Sequence, residues 1–121
     1  MAHQHLVFVY GTLMQDEHHH DQLEGATFLG SRRTKPEYDL VQVDYFPAML
    51  AGGRTSVQGE LYSVNQALLA RLDELEEVPH YYVREVIELS DGTHADSYLM
   101  PRERALDAKP IAGGCFRTRS R

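Results

Sequence analysis

The chain reads as an α+β domain, a small curled sheet or barrel of short strands with helices outside. Three observations predict this. Short runs rich in Val, Ile, Tyr and Phe recur between turn residues from His5 to Met100, several at hairpin spacing, so the strands are expected to be mostly antiparallel. One stretch, Asn65 to Glu77, carries helical periodicity with a boundary signal at each end. No internal repeat, low-complexity block or interdomain linker interrupts the 121 residues, a length suited to one domain that buries roughly two-thirds of its unfolded surface. The expected organisation is a single domain over 1–121, with its core at about 5–100 and a C-terminal tail over 101–121.

Composition narrows the function classes. Twelve basic side chains face eighteen acidic ones, a formal charge of −6 that argues against nonspecific nucleic-acid binding as the main task. Arg117, Arg119 and Arg121 gather around Thr118 and Ser120 beyond Gly113-Gly114, which reads as a loose terminus. Cys115 is the only cysteine, so neither an intrachain disulfide framework nor a cysteine-based zinc site is expected, and a reducing compartment is favoured. The opening Met-Ala-His-Gln-His lacks the features of a secretory signal, and no stretch approaches the ~20 apolar residues of a membrane span. The expectation is a cytoplasmic protein, monomer or homodimer, with neither nucleic acid nor membrane as partner.

Taken in order, His5-Leu6-Val7-Phe8-Val9-Tyr10 is a β-branched and aromatic run stopped by Gly11, as expected of a buried strand entering a tight turn. Glycine there permits a positive φ. Consecutive amides of Gly11, Thr12 and Leu13 either simply turn the chain or form a concavity for a carboxylate or a developing oxyanion. Glu17-His18-His19-His20-Asp21 offers ligand types suited to a metal. Adjacent residues on a helix point about 100° apart and do not converge on one ion. A short helical turn around His20 to Leu23 is therefore expected, with no metal.

Ala26 to Thr34 and Tyr38 to Val43 read as strands separated by Lys35-Pro36-Glu37, where proline breaks the ladder. Asp44 to Leu50 follows as a loop and short strand, with Tyr45 and Phe46 either walling a pocket or plugging the end of the core. After the Gly52-Gly53-Arg54 turn, Ser56 to Val64 is a strand in which Gly59 marks a close backbone approach or a bend.

Asn65 is an N-cap and Pro79 a stop for the helix between them. At about 100° per residue, Leu68, Leu72, Leu75 and Leu69 fall at roughly 0°, 40°, 340° and 100°, an apolar stripe about 120° wide. Glu76 lands at roughly 80°, inside that stripe, whereas Asp73 sits near 140° at its margin and Glu77 and Glu74 near 180° and 240°, on a solvated face. A carboxylate among apolar neighbours is costly unless paired or protonated, and burial raises its pKa, which suits a general acid/base near neutral pH. The alternatives are a helix ending near Glu76 with that residue turned to water, or an ion pair with Arg84. Tyr81 to Leu89 is the next strand, Ser90-Asp91-Gly92-Thr93 a hairpin turn and His94 to Met100 its partner. Arg102 to Lys109 reads as a helical turn before the glycine break.

Three ordered motifs, Val7-Phe8-Val9-Tyr10-Gly11-Thr12-Leu13, Gly59-Glu60-Leu61-Tyr62, and Leu72-Asp73-Glu74-Leu75-Glu76 followed by Tyr82-Val83-Arg84, together resemble the γ-glutamylcyclotransferase-like family, in its γ-glutamylamine cyclotransferase and AIG2-like branch. The resemblance runs from about Leu6 to Met100. It implies a small mixed β-barrel with flanking helices. It also implies a cofactor-free and metal-free reaction in which the α-amine of a γ-glutamyl group attacks its own γ-carbonyl, releasing an amine and 5-oxoproline. Glu76 takes the position of the family's acid/base, the residue that helical angle had already singled out. Tyr10, Gly11, Thr12 and Leu13 match the loop that holds the α-carboxylate or the γ-oxyanion, and Tyr82 and Tyr98 are further substrate-binding positions carried over by place. Asp16, His18 and His19 depart from the glycine and asparagine many relatives carry after this loop, and Tyr-Gly-Thr-Leu differs from the Tyr-Gly-Ser-Leu of the glutathione-cleaving branch. The partner expected is a small γ-glutamyl compound. A noncatalytic module binding a carboxylate-bearing metabolite on the same scaffold is the alternative.

Overall fold

The computed structural model describes residues 4–17, 19–43 and 46–116, so His18, Tyr45 and the three tail arginines lie outside the described residues. The apolar runs form strands β1 (Gln4–Val9), β2 (Thr27–Arg33), β3 (Tyr38–Val43), β4 (Phe46–Ala51), β5 (Gln58–Asn65), β6 (Val83–Glu88), β7 (His94–Leu99) and the two-residue β8 (Lys109–Pro110). One helix, α1 (Gln66–Leu75), follows β5 directly, and a 3-10 turn occupies His20–Leu23. The strands make one mixed sheet in the order β2-β5-β1-β7-β4-β3-β8, with β6 also on β7.

The strand pairing shows how the sheet curls. β1 and β5 run antiparallel from Gln4 opposite Asn65 to Val9 opposite Glu60, and β3 and β4 form a second antiparallel pair. The β6–β7 hairpin keeps register from Val83 opposite Leu99 to Glu88 opposite His94, which sets Arg84 across from Tyr98. The other edge of β7 is shared by two parallel neighbours, β1 at Asp96 and β4 at Leu99. Where these two neighbours part, the phenol of Tyr10 fills the fork: its hydroxyl donates to the Tyr98 carbonyl and accepts from the Met49 amide at 3.1 Å. On the far side, an isolated antiparallel bridge between Thr34 and Leu89 joins the end of β2 to the chain beyond β6. The mixed sheet is thereby bent into a partly closed barrel, with α1 packed on β5 and β1.

Val7, Phe8, Val57, Val64, Leu72, Ala48 and Met49 are essentially inaccessible and define the core. Gly59 belongs to this packing, because a Cβ there would strike the Val9 carbonyl oxygen and the Phe8 ring. Asn65 caps α1 as expected, its Oδ1 accepting from the Leu68 amide at 2.8 Å.

Two expectations change. The core does not stop near residue 100: Ala105, Ile111 and Phe116 are buried, the Ile111 amide donates to the Leu40 carbonyl at 2.8 Å, and β8 pairs with β3. The helix ends at Leu75 rather than running through Glu77, and Leu75, placed in the apolar stripe by angle, is 39% exposed.

Candidate active site

The site begins where α1 stops. Glu76 is the C-cap, at φ −85° and ψ 2°, and Glu77 follows with φ 53°, in the left-handed region. The Glu77 amide donates to the Glu74 carbonyl and the Val78 amide to the Asp73 carbonyl, the paired bonds of a Schellman motif with glutamate where glycine is usual. Two further amides return to this corner, Tyr81 donating to the Glu77 carbonyl and Tyr82 to the Glu76 carbonyl. The segment from 76 to 82 is thus folded back on the helix end, and Glu76, Glu77, Tyr81 and Tyr82 all line one cleft of about 320 Å³.

Another part of the wall is the turn after β1. Tyr10, Gly11, Thr12 and Leu13 line the same cleft. Gly11 does not take up the positive φ that glycine permits; a side chain there is excluded by the Pro47 ring, whose Cγ would lie 2.6 Å from a Cβ. Among the described residues, the amides of Gly11, Thr12 and Leu13 have no hydrogen-bond acceptor in the protein, so these donors remain for a ligand. The turn is held from behind by the Met14 amide donating to the Gly11 carbonyl at 3.1 Å and the His19 amide donating to the Thr12 carbonyl at 2.8 Å. Buried Glu60 accepts from the Gln15 amide at 2.8 Å and from the Tyr62 hydroxyl at 3.0 Å.

The histidine run serves this loop. His19 Nδ1 hydrogen-bonds Thr12 Oγ1 at 3.0 Å, and His20 Nδ1 donates to the Leu13 carbonyl at 2.9 Å, so the two rings diverge. Among the described residues no three His, Cys, Asp or Glu side chains gather around a common point.

The tyrosines wall the cleft with their hydroxyl protons already committed. Tyr82 donates to the Pro47 carbonyl and Tyr98 to Asp73 Oδ1, both at 2.8 Å. Asp73 Oδ2 also meets Arg84 Nη1 at 3.2 Å, so the arginine considered as a partner for Glu76 belongs to Asp73 instead. Burial raises the pKa of all three phenols; Tyr82 and Glu76 charge reinforce this at Tyr10, Glu76 charge at Tyr82, and the bond to Asp73 at Tyr98, so all stay protonated at neutral pH. Among the described residues Glu76 has neither ion pair nor side-chain hydrogen bond. Desolvation alone lifts its carboxyl from 4.5 to about 7. A carboxyl that ionises near neutrality therefore shares the cleft with a row of open amides.

The sequence matches the family described as gamma-glutamyl cyclotransferase, AIG2-like, over residues 7–118. The chain belongs to that family. A Vibrio cholerae protein provisionally named a gamma-glutamylcyclotransferase is 48% identical over 90 residues, 74% of this chain and 77% of that protein. The zebrafish (Danio rerio) gamma-glutamylaminecyclotransferase A is 40% identical over 92 residues, 69% of this chain and 57% of that longer protein. A mouse AIG2-like protein of known crystal structure superposes with a TM-score of 0.76 at 27% identity, over 81% of this chain and 78% of that one.

In this AIG2-like cyclotransferase fold, Glu76, Tyr10, Gly11, Thr12, Leu13, Tyr82 and Tyr98 share one cleft. The described residues contain no helix long and apolar enough to cross a membrane. Sequence reasoning missed three lining residues, His19, Leu75 and Tyr81, and placed Glu77 on the solvated face. Pro47 and Phe46 had a signal, an aromatic-proline pair beside a strand. His19 had none, because its part depends on the fold of a loop without periodicity.

Proposed function

We propose that the protein releases amines from γ-glutamyl amides by intramolecular cyclisation, with Glu76 as the acid/base. The observation that carries this reading is that Glu76, a carboxyl titrating near neutrality and unpaired among the described residues, lines one cleft with the open amides of Gly11, Thr12 and Leu13. Glu76 takes a proton from the substrate's α-ammonium, and the freed amine attacks the γ-carbonyl carbon, forming the ring C–N bond. Negative charge develops on the γ-oxygen, where the loop amides are suited to receive it or to hold the α-carboxylate while the chain folds for attack.

Collapse breaks the bond to the departing nitrogen, which takes the proton from Glu76. The α-ammonium loses two protons in becoming the lactam N–H; the second balances protonation of the released amine in water. No redox step or external nucleophile enters, and the products are 5-oxoproline and a free amine. The tyrosines shape the cavity and keep water from the reacting carbon, since their protons are engaged with Pro47, Asp73 and the Tyr98 backbone.

The test is 5-oxoproline release from a panel of γ-glutamyl amides by the parent and by Glu76→Gln. A loss of at least about a hundredfold in kcat for a folded variant is the expected result. Binding of γ-glutamyl compounds without turnover by the parent would favour a noncatalytic metabolite-binding module.

A further inference from the structure

We propose that the amine released carries an uncharged, apolar substituent, as an arylalkyl or branched alkyl amine does, selected by Phe46 and Leu75. This rests on the cyclotransferase reading and names the substrate class for that site. Phe46 is 40% and Leu75 39% exposed. Six large apolar side chains stand exposed among the described residues, and these two, at the start of β4 and the end of α1, both line the cleft. Isolated exposed apolar residues need no explanation, but two at the rim of the same cavity form a patch that water covers poorly until a ligand does.

Position ties the patch to the leaving group. Leu75 lines the same cleft as Glu76, and the departing nitrogen has to lie within proton-transfer reach of that carboxyl, so its substituent has Leu75 on the wall around it. Phe46 is braced for the same contact, its ring stacked on His19 at 6.2 Å between centroids and 19° between planes. Tyr81, set edge-on against Tyr82 at 5.0 Å, continues the apolar wall.

Charge points the same way. Among the described residues the cleft lining contains no Lys or Arg, and its acidic members are Glu76 and Glu77. A departing amino acid or peptide would bring its carboxylate against Glu77 with no cation to meet it. A departing diamine would gain only an exposed contact with Glu77, of little worth in water, while leaving the Phe46–Leu75 rim uncovered.

The experiment measures kcat/KM for 5-oxoproline release from γ-glutamyl benzylamide, isopentylamide and methylamide, and from γ-glutamyl-ε-lysine and γ-glutamyl-alanine. Benzylamide and isopentylamide are expected to exceed the other three by at least about tenfold. Phe46→Ala and Leu75→Ser are each expected to lower the benzylamide-to-methylamide ratio about tenfold. Both side chains are already partly in water, and thermal unfolding checks that the variants fold. Equal or better turnover of the lysine or alanine compound, or variants that leave the ratio unchanged, would overturn apolar selection while a dead Glu76→Gln kept the cyclotransferase reading intact. Release from none of the five would remove both.

Discussion

Glu76 joins the chemistry of the site to the stability of the fold, and the sign of the linkage is fixed by the direction of its shift. Its carboxyl ionises at about 7 in the folded chain against 4.5 ordinarily. Between those values the folded state holds a proton that the unfolded state has released, so stability falls as pH rises through that window and levels off above it. The full shift corresponds to about 3 kcal/mol, reduced here because the carboxyl borders an open cleft. Glu76→Gln removes the titration. The variant is expected to match the parent at pH 4.5 and to exceed it by about 1–2 kcal/mol at pH 8, measured by urea unfolding at both values. A constant difference between the two curves would assign the burial to some other cause. Helical angle found this residue even though the helix ends one position earlier, because the cap at φ −85° and ψ 2° stays close to helical geometry and preserves the direction of the side chain.

The same projection failed one residue later. Glu77 turns to φ 53°, and a helical wheel has no meaning beyond that point, so a glutamate assigned to the solvated face lines the cleft instead. Sequence signals marked the end of α1 through Pro79 but gave no sign of the Schellman turn, since its usual glycine is absent. A side chain in the left-handed region costs about 1 kcal/mol relative to glycine, so Glu77→Gly is expected to raise stability by about that amount, and Glu77→Val to lower it by more. Urea midpoints with unchanged slopes would show this; a Gly variant no more stable than the parent would mean that the Glu77 side chain offsets the backbone cost through its surroundings. The turn after β1 teaches a related lesson. The need for glycine at position 11 was legible, but its reason was a neighbour 36 positions ahead in sequence, the Pro47 ring, which no local pattern announces.

The curl of the sheet depends on contacts whose partners lie far apart in sequence, and those were the least legible. The β6–β7 hairpin announces itself through Ser90-Asp91-Gly92-Thr93, whereas the sharing of β7 by β1 and β4, the Tyr10 hydroxyl in the fork, and the bridge from Thr34 to Leu89 carry no periodic signal. The C-terminal segment was read as a tail for the same reason, since 3-10 turns and a two-residue strand have no repeat to detect. Its contacts make it structural. Ile111 and Phe116 complete the core beside β3, Arg102 pairs with Asp39 at 2.6 Å, and Arg104 donates to the carbonyls of His80 and Tyr81, on the segment that walls the cleft. Phe116, 1% exposed, is the sharpest probe of this. Truncating a buried phenylalanine removes its transfer free energy and leaves a cavity, so Phe116→Ala is expected to lose about 3–5 kcal/mol, a large part of what a domain of this size possesses. A loss under about 0.5 kcal/mol in urea unfolding would make residues beyond 100 an appendage. A large loss would show that the cleft wall is supported from the C-terminal segment, so that truncation near Met100 would remove the site together with the fold.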